Sequence, residues 1–133
     1  MPKLSLPGVL AATAVFWVIG FLWYGVLFNG AWMSAEGVTP AAAEGQSPLW
    51  MAAGLLMTLA QVLGLALALR WKGVYETGDA VRTAALLWAL FALPFALYDF
   101  VYLPAHNAVS LAIDASHLFA GWVAAAAVLS RFK

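Results

Sequence analysis

Four long apolar runs, separated by shorter polar segments, dominate the hydrophobic pattern of the chain. A transmembrane helix needs about 20 predominantly apolar residues, and each run is close to that length. The pattern therefore predicts an all-α integral membrane four-helix bundle that forms a single transmembrane domain over residues 1–133. The predicted spans 1 to 4 cover residues 7–28, 49–69, 80–103 and 108–130. Short connections make successive spans antiparallel neighbours, and Pro94 predicts a kink or local break in span 3.

All basic residues fall on one side of a chain that crosses the membrane four times. They are Lys3, Arg70, Lys72, Arg82, Arg131 and Lys133. The first and third connections contain no Lys or Arg. Because Lys and Arg near the ends of spans stay in the cytoplasm, the chain is expected to have both termini cytoplasmic. The expected location is the cell inner (plasma) membrane, with the chain as a multi-pass protein.

The composition excludes several other classes of protein. Hydrophobic residues make up 65% of the chain and charged residues 9%, whereas a soluble domain has about 25% charged residues. Four spans leave no room for a soluble catalytic module. The net charge is zero without a basic stripe, so nucleic acid is not an expected partner. The chain has no Cys, which excludes thiolate chemistry, and its first run is too long for a secretory signal.

Small residues recur at every fourth position on two spans, where they allow close approach of helices in lipid. These helix-packing candidates are Ala60, Gly64 and Ala68 on span 2 and Ala112, Ser116, Ala120 and Ala124 on span 4. Packing within one chain explains them most simply. The alternative is a subunit interface, because so small a bundle has few internal faces. The expected partners are therefore membrane lipid and a second copy of the chain, as a homo-oligomer.

Aromatic residues near the ends of the runs are predicted to be anchors at the membrane interfaces. These residues are Trp23, Tyr24, Trp32 and Trp50 on the outer side and Trp71 on the inner side. Most of the aromatic content of the chain is accounted for in this way, so we do not infer an aromatic ligand cage.

A polar cluster is predicted in the outer half of the membrane. Asp99 lies four residues before the end of span 3, and Asp114 and His117 lie six and nine residues into span 4. With a rise of 1.5 Å per residue, these positions are about 6, 9 and 13 Å below the outer boundary. Asp114 and His117 share one helical face because they are three residues apart. His106 and Asn107 are expected to cap the cluster at the outer turn.

Ionisable residues inside a membrane face the protein interior, pair with one another, and are candidates for function. We expect that at least one of Asp99 and Asp114 is protonated, or that His117 is cationic and paired with Asp114. The cluster could fix the register of the helices, take part in binding or permeation of a solute, or perform acid–base chemistry. It could also hold a metal or haem, but an Asp/His pair with one distant acid is a weak metal signal.

No catalytic residue, metal ligand or cofactor is assigned, because the chain contains no nucleotide loop, hydrolase elbow or metalloprotease motif. Whether the chain is an enzyme stays open, and a role without catalysis is favoured.

Residues 20–28 read GFLWYGVLF and are followed by Ala-Trp-Met at residues 31–33. This segment is similar to the first-span signature of the DUF1761 family of small multi-spanning membrane proteins. Asn29 intervenes before Gly30, and Val26 stands where a proline is frequent. In the last span, residues 113–115 match an isoleucine-aspartate-small element. Ser116 and His117 depart from its usual continuation, which gives Asp114 more weight than His117. The resemblance implies an architecture but no reaction.

The sequence favours a small membrane protein that binds or conducts a small, unidentified solute through the outer Asp/His cluster, with proton linkage if the acids titrate. The alternatives are a membrane-embedded acid–base enzyme acting on a lipid-like substrate and an assembly partner without chemistry. A vestibule that reaches Asp114 would favour the first interpretation. A closed apolar cavity would favour the second, and a dry bundle with every polar group paired would favour the third.

Overall fold

The computed structural model describes residues 4–132, which form helices and connections without a strand. Four helices are long and apolar enough to cross a membrane. They are Leu6–Leu27, Leu49–Lys72, Thr77–Tyr102 and Ala108–Arg131, and they are called spans 1 to 4 below. This confirms the predicted all-α fold with four membrane-length helices and indicates a multi-pass membrane protein. Lys3 and Lys133 lie outside the described residues, and the cytoplasmic placement of both termini stays a prediction. The inner and outer ends of the spans are named below according to this predicted orientation.

Span 1 changes its helical form before it reaches the outer side. The Ser5 side chain accepts a hydrogen bond from the backbone N–H of Gly8 at 3.1 Å and caps the start of the helix. The helix is α-helical over Leu6–Gly20 and π-helical over Phe21–Leu27. A π-helical segment contains an extra residue per bulge and often occurs at functional sites. The segment rotates the outer side chains of span 1 relative to those of its inner half.

The first connection is largely helical, although the sequence predicted no helix between spans 1 and 2. A helix over Asn29–Glu36, called the connecting helix below, follows the break at Phe28. It ends at Gly37, whose φ of 68° lies in the left-handed region that glycine adopts without strain. A shorter helix over Pro40–Glu44 is capped by Thr39.

Spans 2 and 3 lie closer together along the chain than predicted. Span 2 continues through Arg70, Trp71 and Lys72, which are compatible with a helix, and stops only at Gly73, where φ is 73°. Span 3 begins already at Thr77. It is α-helical over Thr77–Leu87 and Leu93–Tyr102, with a π-helical segment over Trp88–Ala92 between them. The helix distorts directly before Pro94, which lacks an N–H for the helical ladder, and then continues.

The tightly packed core occupies the inner half of the bundle. Span 4 packs mainly against span 1 and against the Thr77–Leu87 part of span 3, and span 1 also packs against span 2. The buried apolar residues of this core are Val9, Ala12, Phe16, Val62, Leu65, Ala66, Leu69, Ala80, Ala84, Ala125 and Ala126. The ring of Phe16 lies directly on Gly121 of span 4. Small residues thus allow spans 1 and 4 to cross closely here.

The outer half of the bundle is built from different elements. The outer half of span 2 takes little part in packing, and Leu49, Trp50 and Met51 are 61–77% exposed. The outer part of span 3 packs against span 4 there, and the connecting helix packs against span 4 as well. This arrangement leaves space between the outer ends of spans 3 and 4.

Candidate functional site

Two aromatic residues of span 1 join its outer end to span 4. The hydroxyl of Tyr24 donates a hydrogen bond to Oδ1 of Asp114, and Nε1 of Trp23 donates to Oγ of Ser116 at 3.0 Å. Trp23 and Tyr24 lie within the π-helical segment of span 1, where both consecutive side chains reach the same neighbouring helix. The two hydrogen bonds hold the spans together through side-chain polar groups rather than through close backbone contact.

Hydrogen bonds join the connecting helix to the start of span 4. Nδ2 of Asn107 donates to the backbone oxygen of Ala35 at 2.7 Å, and Oγ of Ser110 donates to Oε1 of Glu36. Oδ1 of Asn107 also accepts from the backbone N–H of Ser110 at 3.0 Å and so caps span 4. These contacts bring the carboxyl group of Glu36 to the outer end of span 4.

A partly open cavity of about 290 Å³ lies at this outer end, between the connecting helix, span 3 and span 4. Its polar lining consists of the carboxyl groups of Glu36, Asp99 and Asp114 together with the side chains of Asn107 and Ser110. Residues 4–69 and 83–130 contain no Lys or Arg, so no basic residue of these spans compensates the acids. The cavity therefore has three acidic residues and no basic residue in its lining.

The structure brings together only part of the predicted polar cluster. Asp99, Asn107 and Asp114 line the same cavity. His117 lies deeper, with its ring centroid 5.0 Å from that of Tyr24 and 5.4 Å from that of Phe16. Its Nε2 is buried and has no hydrogen-bond partner among residues 4–132. Asp114 is joined to Tyr24 and not to His117, because the hydroxyl of Tyr24 comes from the facing span.

His106 stands apart from the cavity at the exposed outer turn. Its Nδ1 donates to the backbone oxygen of Phe100 at 2.7 Å, and its φ of 43° is in the left-handed region. The side chain therefore stabilises the turn between spans 3 and 4. Asn107, its neighbour, is the residue of the pair that reaches the cavity.

Sequence reasoning did not assign Trp23, Tyr24, Glu36 or Ser110 to the site. Trp23 and Tyr24 were predicted as interface anchors, and Glu36 was placed in an outer connection. One signal could have found Tyr24: it lies in the first-span signature and near the outer end of its span, as Asp114 does. Trp50 and Trp71 are 68% and 72% exposed at opposite ends of span 2, and their role as anchors stays a prediction.

Trp32, also predicted as an anchor, packs against the site. Its ring centroid lies 5.5 Å from that of Tyr24, edge to face. Its Nε1 is buried without a hydrogen-bond partner in residues 4–132. The indole rests on the pair formed by Tyr24 and Asp114 and covers it from the side of the connecting helix.

The predicted helix-packing positions are used unevenly. On span 4, Ser116 bonds Trp23, Ala120 and Ala124 are half-buried, and Ala112 is exposed. Burial there falls instead on Ser110, Ile113, Ala115, Gly121, Ala125 and Ala126. On span 2, Ala68 is half-buried, whereas Ala60 and Gly64 are exposed. A Cβ added to Gly64 would meet nothing within 4 Å. Whether a second copy covers this face stays a prediction.

The acids of the cavity are not arranged as ligands of a single metal ion. Among residues 4–132, no three His, Asp or Glu side chains lie close enough together to hold one.

A comparison with protein families gives one match. The family model described as "Protein of unknown function (DUF1761)" matches residues 7–130, which include all or nearly all of each span and both residues of the pair formed by Tyr24 and Asp114. No curated protein and no solved structure matches the chain.

Proposed function

We propose that this chain, which belongs to the DUF1761 family, is a small membrane protein that binds a small organic cation in its outer cavity. The observation that carries the proposal is the convergence of Glu36, Asp99 and Asp114 on one cavity of about 290 Å³. No Lys or Arg lines this cavity, and Arg82 and Arg131 lie at the opposite ends of spans 3 and 4. A cation would supply the missing positive charge.

The strength of the attraction between a bound cation and the carboxylates depends on the position of the cavity near the membrane surface. Two opposite unit charges about 4 Å apart attract each other by roughly 4 kcal/mol at an effective dielectric constant of about 20. Asp114 is the best oriented of the three acids, because the hydroxyl of Tyr24 holds one of its oxygens. Asp99 and Glu36 then face the solute from span 3 and from the connecting helix.

Binding of a cation in this cavity would be linked to protons. Protons and the cation would compete for the carboxyl groups of Glu36, Asp99 and Asp114, so acidification should weaken binding of the cation. This competition is the form that the predicted proton linkage would take.

The side chains that pack on the inner side of Asp114 favour binding of a solute over its permeation. The rings of Tyr24, His117 and Phe16 lie one below another there, and Phe16 is 1% exposed. Passage of a solute would require spans 1 and 4 to separate along this line. Binding at the outer end requires no such movement.

Titration calorimetry with methylammonium and tetramethylammonium tests the proposal on the purified protein. Asp114→Asn should weaken binding of the better probe by roughly tenfold or more, because it removes a carboxylate whose attraction for a positive charge about 4 Å away is roughly 4 kcal/mol at an effective dielectric constant of about 20. Glu44→Gln is the matched control, because Glu44 is an exposed outer acid that does not line the cavity. Binding that is equal in both variants and the unmodified chain would reject the proposal.

Flux measurements in liposomes separate binding from permeation and from a structural role. Proton-driven uptake of methylammonium that is lost in Asp114→Asn, with the fold intact, would extend the proposal to permeation. If Asp114→Asn binds the probes normally but unfolds more easily than the unmodified chain, Asp114 only fixes helix register.

A further inference from the structure

A second cavity lies at the opposite end of the bundle, where the inner ends of all four spans meet. Its volume is about 80 Å³, and it is partly open. Most of its wall is apolar and includes Leu69, Val74 and Leu129. Arg70, in the last turn of span 2, and Tyr75, in the inner connection, supply polar groups. The positive-inside rule places this end of the protein at the cytoplasmic face.

Arg70 has no counter-charge in the part of the chain that the structure describes. The ion pair found among residues 4–132 joins Arg82 and Asp79 at 3.9 Å on the surface. Lys72, the nearest basic residue in sequence, donates to Oγ1 of Thr83 at 3.0 Å. Arg70 makes no such contact within the same range, and its side chain is half-buried in the cavity wall.

The other polar groups of the cavity are already occupied. Oγ of Ser5 caps the start of span 1. Oγ of Ser130 lies 2.8 Å from Oγ1 of Thr77 and donates to the backbone oxygen of Ala127 at 2.7 Å. This leaves the guanidinium of Arg70 and the hydroxyl of Tyr75 to face a ligand from an apolar wall.

We propose that this inner cavity binds the headgroup phosphate of an anionic phospholipid, with Arg70 as its principal contact. The planar guanidinium presents paired N–H donors that match two phosphate oxygens. Basic pockets between helices on the cytoplasmic side are recognised sites for lipid headgroups. The apolar wall fits the glycerol and the first acyl carbons, and Leu4 and Phe132 at the rim are partly exposed to the surroundings. A free phosphate ion would gain nothing from this apolar wall.

Native mass spectrometry of the full chain in mixed micelles tests this site, with phosphatidylglycerol and phosphatidylcholine as the probes. The unmodified protein should retain phosphatidylglycerol in preference to phosphatidylcholine. Inorganic phosphate at about 10 mM should not displace the bound phosphatidylglycerol. Arg70→Gln should reduce retention of phosphatidylglycerol by roughly tenfold. Arg82→Gln is the matched control, because Arg82 lies at the same end but is 86% exposed and does not line the cavity.

Arg70→Lys provides a second variant in case Arg70→Gln does not fold, which circular dichroism reports. It keeps the charge but loses the paired donors, so a loss of a few-fold in retention is expected. Equal losses in the Arg70 and Arg82 variants would indicate diffuse surface charge and overturn the proposal. Equal retention of the two lipids, displacement by inorganic phosphate, or full retention in Arg70→Lys would overturn it as well.

Discussion

The inner and outer halves of this bundle hold the same helices together in different ways. In the inner half, Ala12, Ala84, Ala125 and Ala126 are fully buried, and small side chains allow the helices to approach closely. In the outer half, the contacts between spans 1 and 4 are hydrogen bonds made by Tyr24 and Trp23. Close approach fills the space between helices, whereas long polar side chains keep helices apart. The cavity therefore occurs where polar pairs replace small residues.

The charged residues are also distributed differently between the inner and outer ends of the bundle. Among the described residues, Arg70, Lys72, Arg82 and Arg131 lie toward the inner ends of their spans, whereas Glu36, Glu44, Asp99 and Asp114 lie toward the outer end. The two cavities differ accordingly, with three carboxyl groups lining the outer one and Arg70 lining the inner one. Ligands of opposite charge are therefore proposed for the two ends.

The largest expected effect on stability comes from closing the crossing point of spans 1 and 4. In Gly121→Ala, the new Cβ would lie 2.9 Å from Cζ of Phe16 and still closer to two other ring atoms. Overpacking of this kind costs about 1–3 kcal/mol, which should appear as a lower free energy of unfolding in a detergent titration followed by circular dichroism. Gly64→Ala is the control, because its Cβ meets nothing within 4 Å. Equal losses in both variants would contradict the proposed close crossing.

Cysteine labelling tests whether the outer half holds water and the inner half does not. The chain has no native Cys, so each introduced thiol is read alone with a membrane-impermeant maleimide in vesicles. Ala96→Cys, in the wall of the outer cavity, should react at least roughly tenfold faster than Ala84→Cys, which is 0% exposed and reacts only after local opening.

Ala60→Cys completes the labelling experiment. Ala60 is exposed near the middle of span 2, where hydrocarbon rather than water is expected to surround it. Its thiol should stay unlabelled in vesicles and react once the protein is transferred to a denaturant. Rapid labelling in vesicles would argue against membrane insertion of span 2.

A smaller effect is expected for the pair formed by Tyr24 and Asp114. A double-mutant cycle with Tyr24→Phe and Asp114→Asn should give a coupling energy of about 1 to 1.7 kcal/mol, the upper part of the range measured between membrane helices. The same cycle with Asp99→Asn in place of Asp114→Asn should give almost none, because Asp99 shares the cavity but does not bond Tyr24. Similar values in the two cycles would mean that general charge effects dominate.

The smallest effect should come from the neighbouring hydrogen bond. Trp23→Phe removes the indole donor to Ser116 and should lower the free energy of unfolding by about 0.6 kcal/mol, the average for hydrogen bonds between membrane helices. Trp50→Phe should leave it unchanged, because Trp50 is 68% exposed. A larger loss for Trp50 would mean that its side chain is covered in the folded protein by another molecule.

The sequence predicted the architecture because the hydropathy of a segment is a local property of its own residues. In hydrocarbon, each helix must satisfy its own backbone hydrogen bonds, so the position of a span depends on its own residues and not on its neighbours. This is why four spans could be located. The observed ends of the spans differ from the predicted ends where individual residues determine them. Span 2, for example, continues to Lys72 and ends at Gly73, which lies in the left-handed region.

The sequence also selected Asp99 and Asp114, whose cost in lipid marks them one by one, and Asn107 as a cap at the outer turn. The structure places these three residues in one cavity. Their partners were decided only by the tertiary structure. Tyr24 reaches Asp114 because a π-helical segment turns it toward span 4, and Glu36 arrives through a helix that the pattern did not predict. Such pairings depend on the rotation of each helix about its axis. Many rotations bury similar apolar surface, so hydropathy alone does not distinguish them.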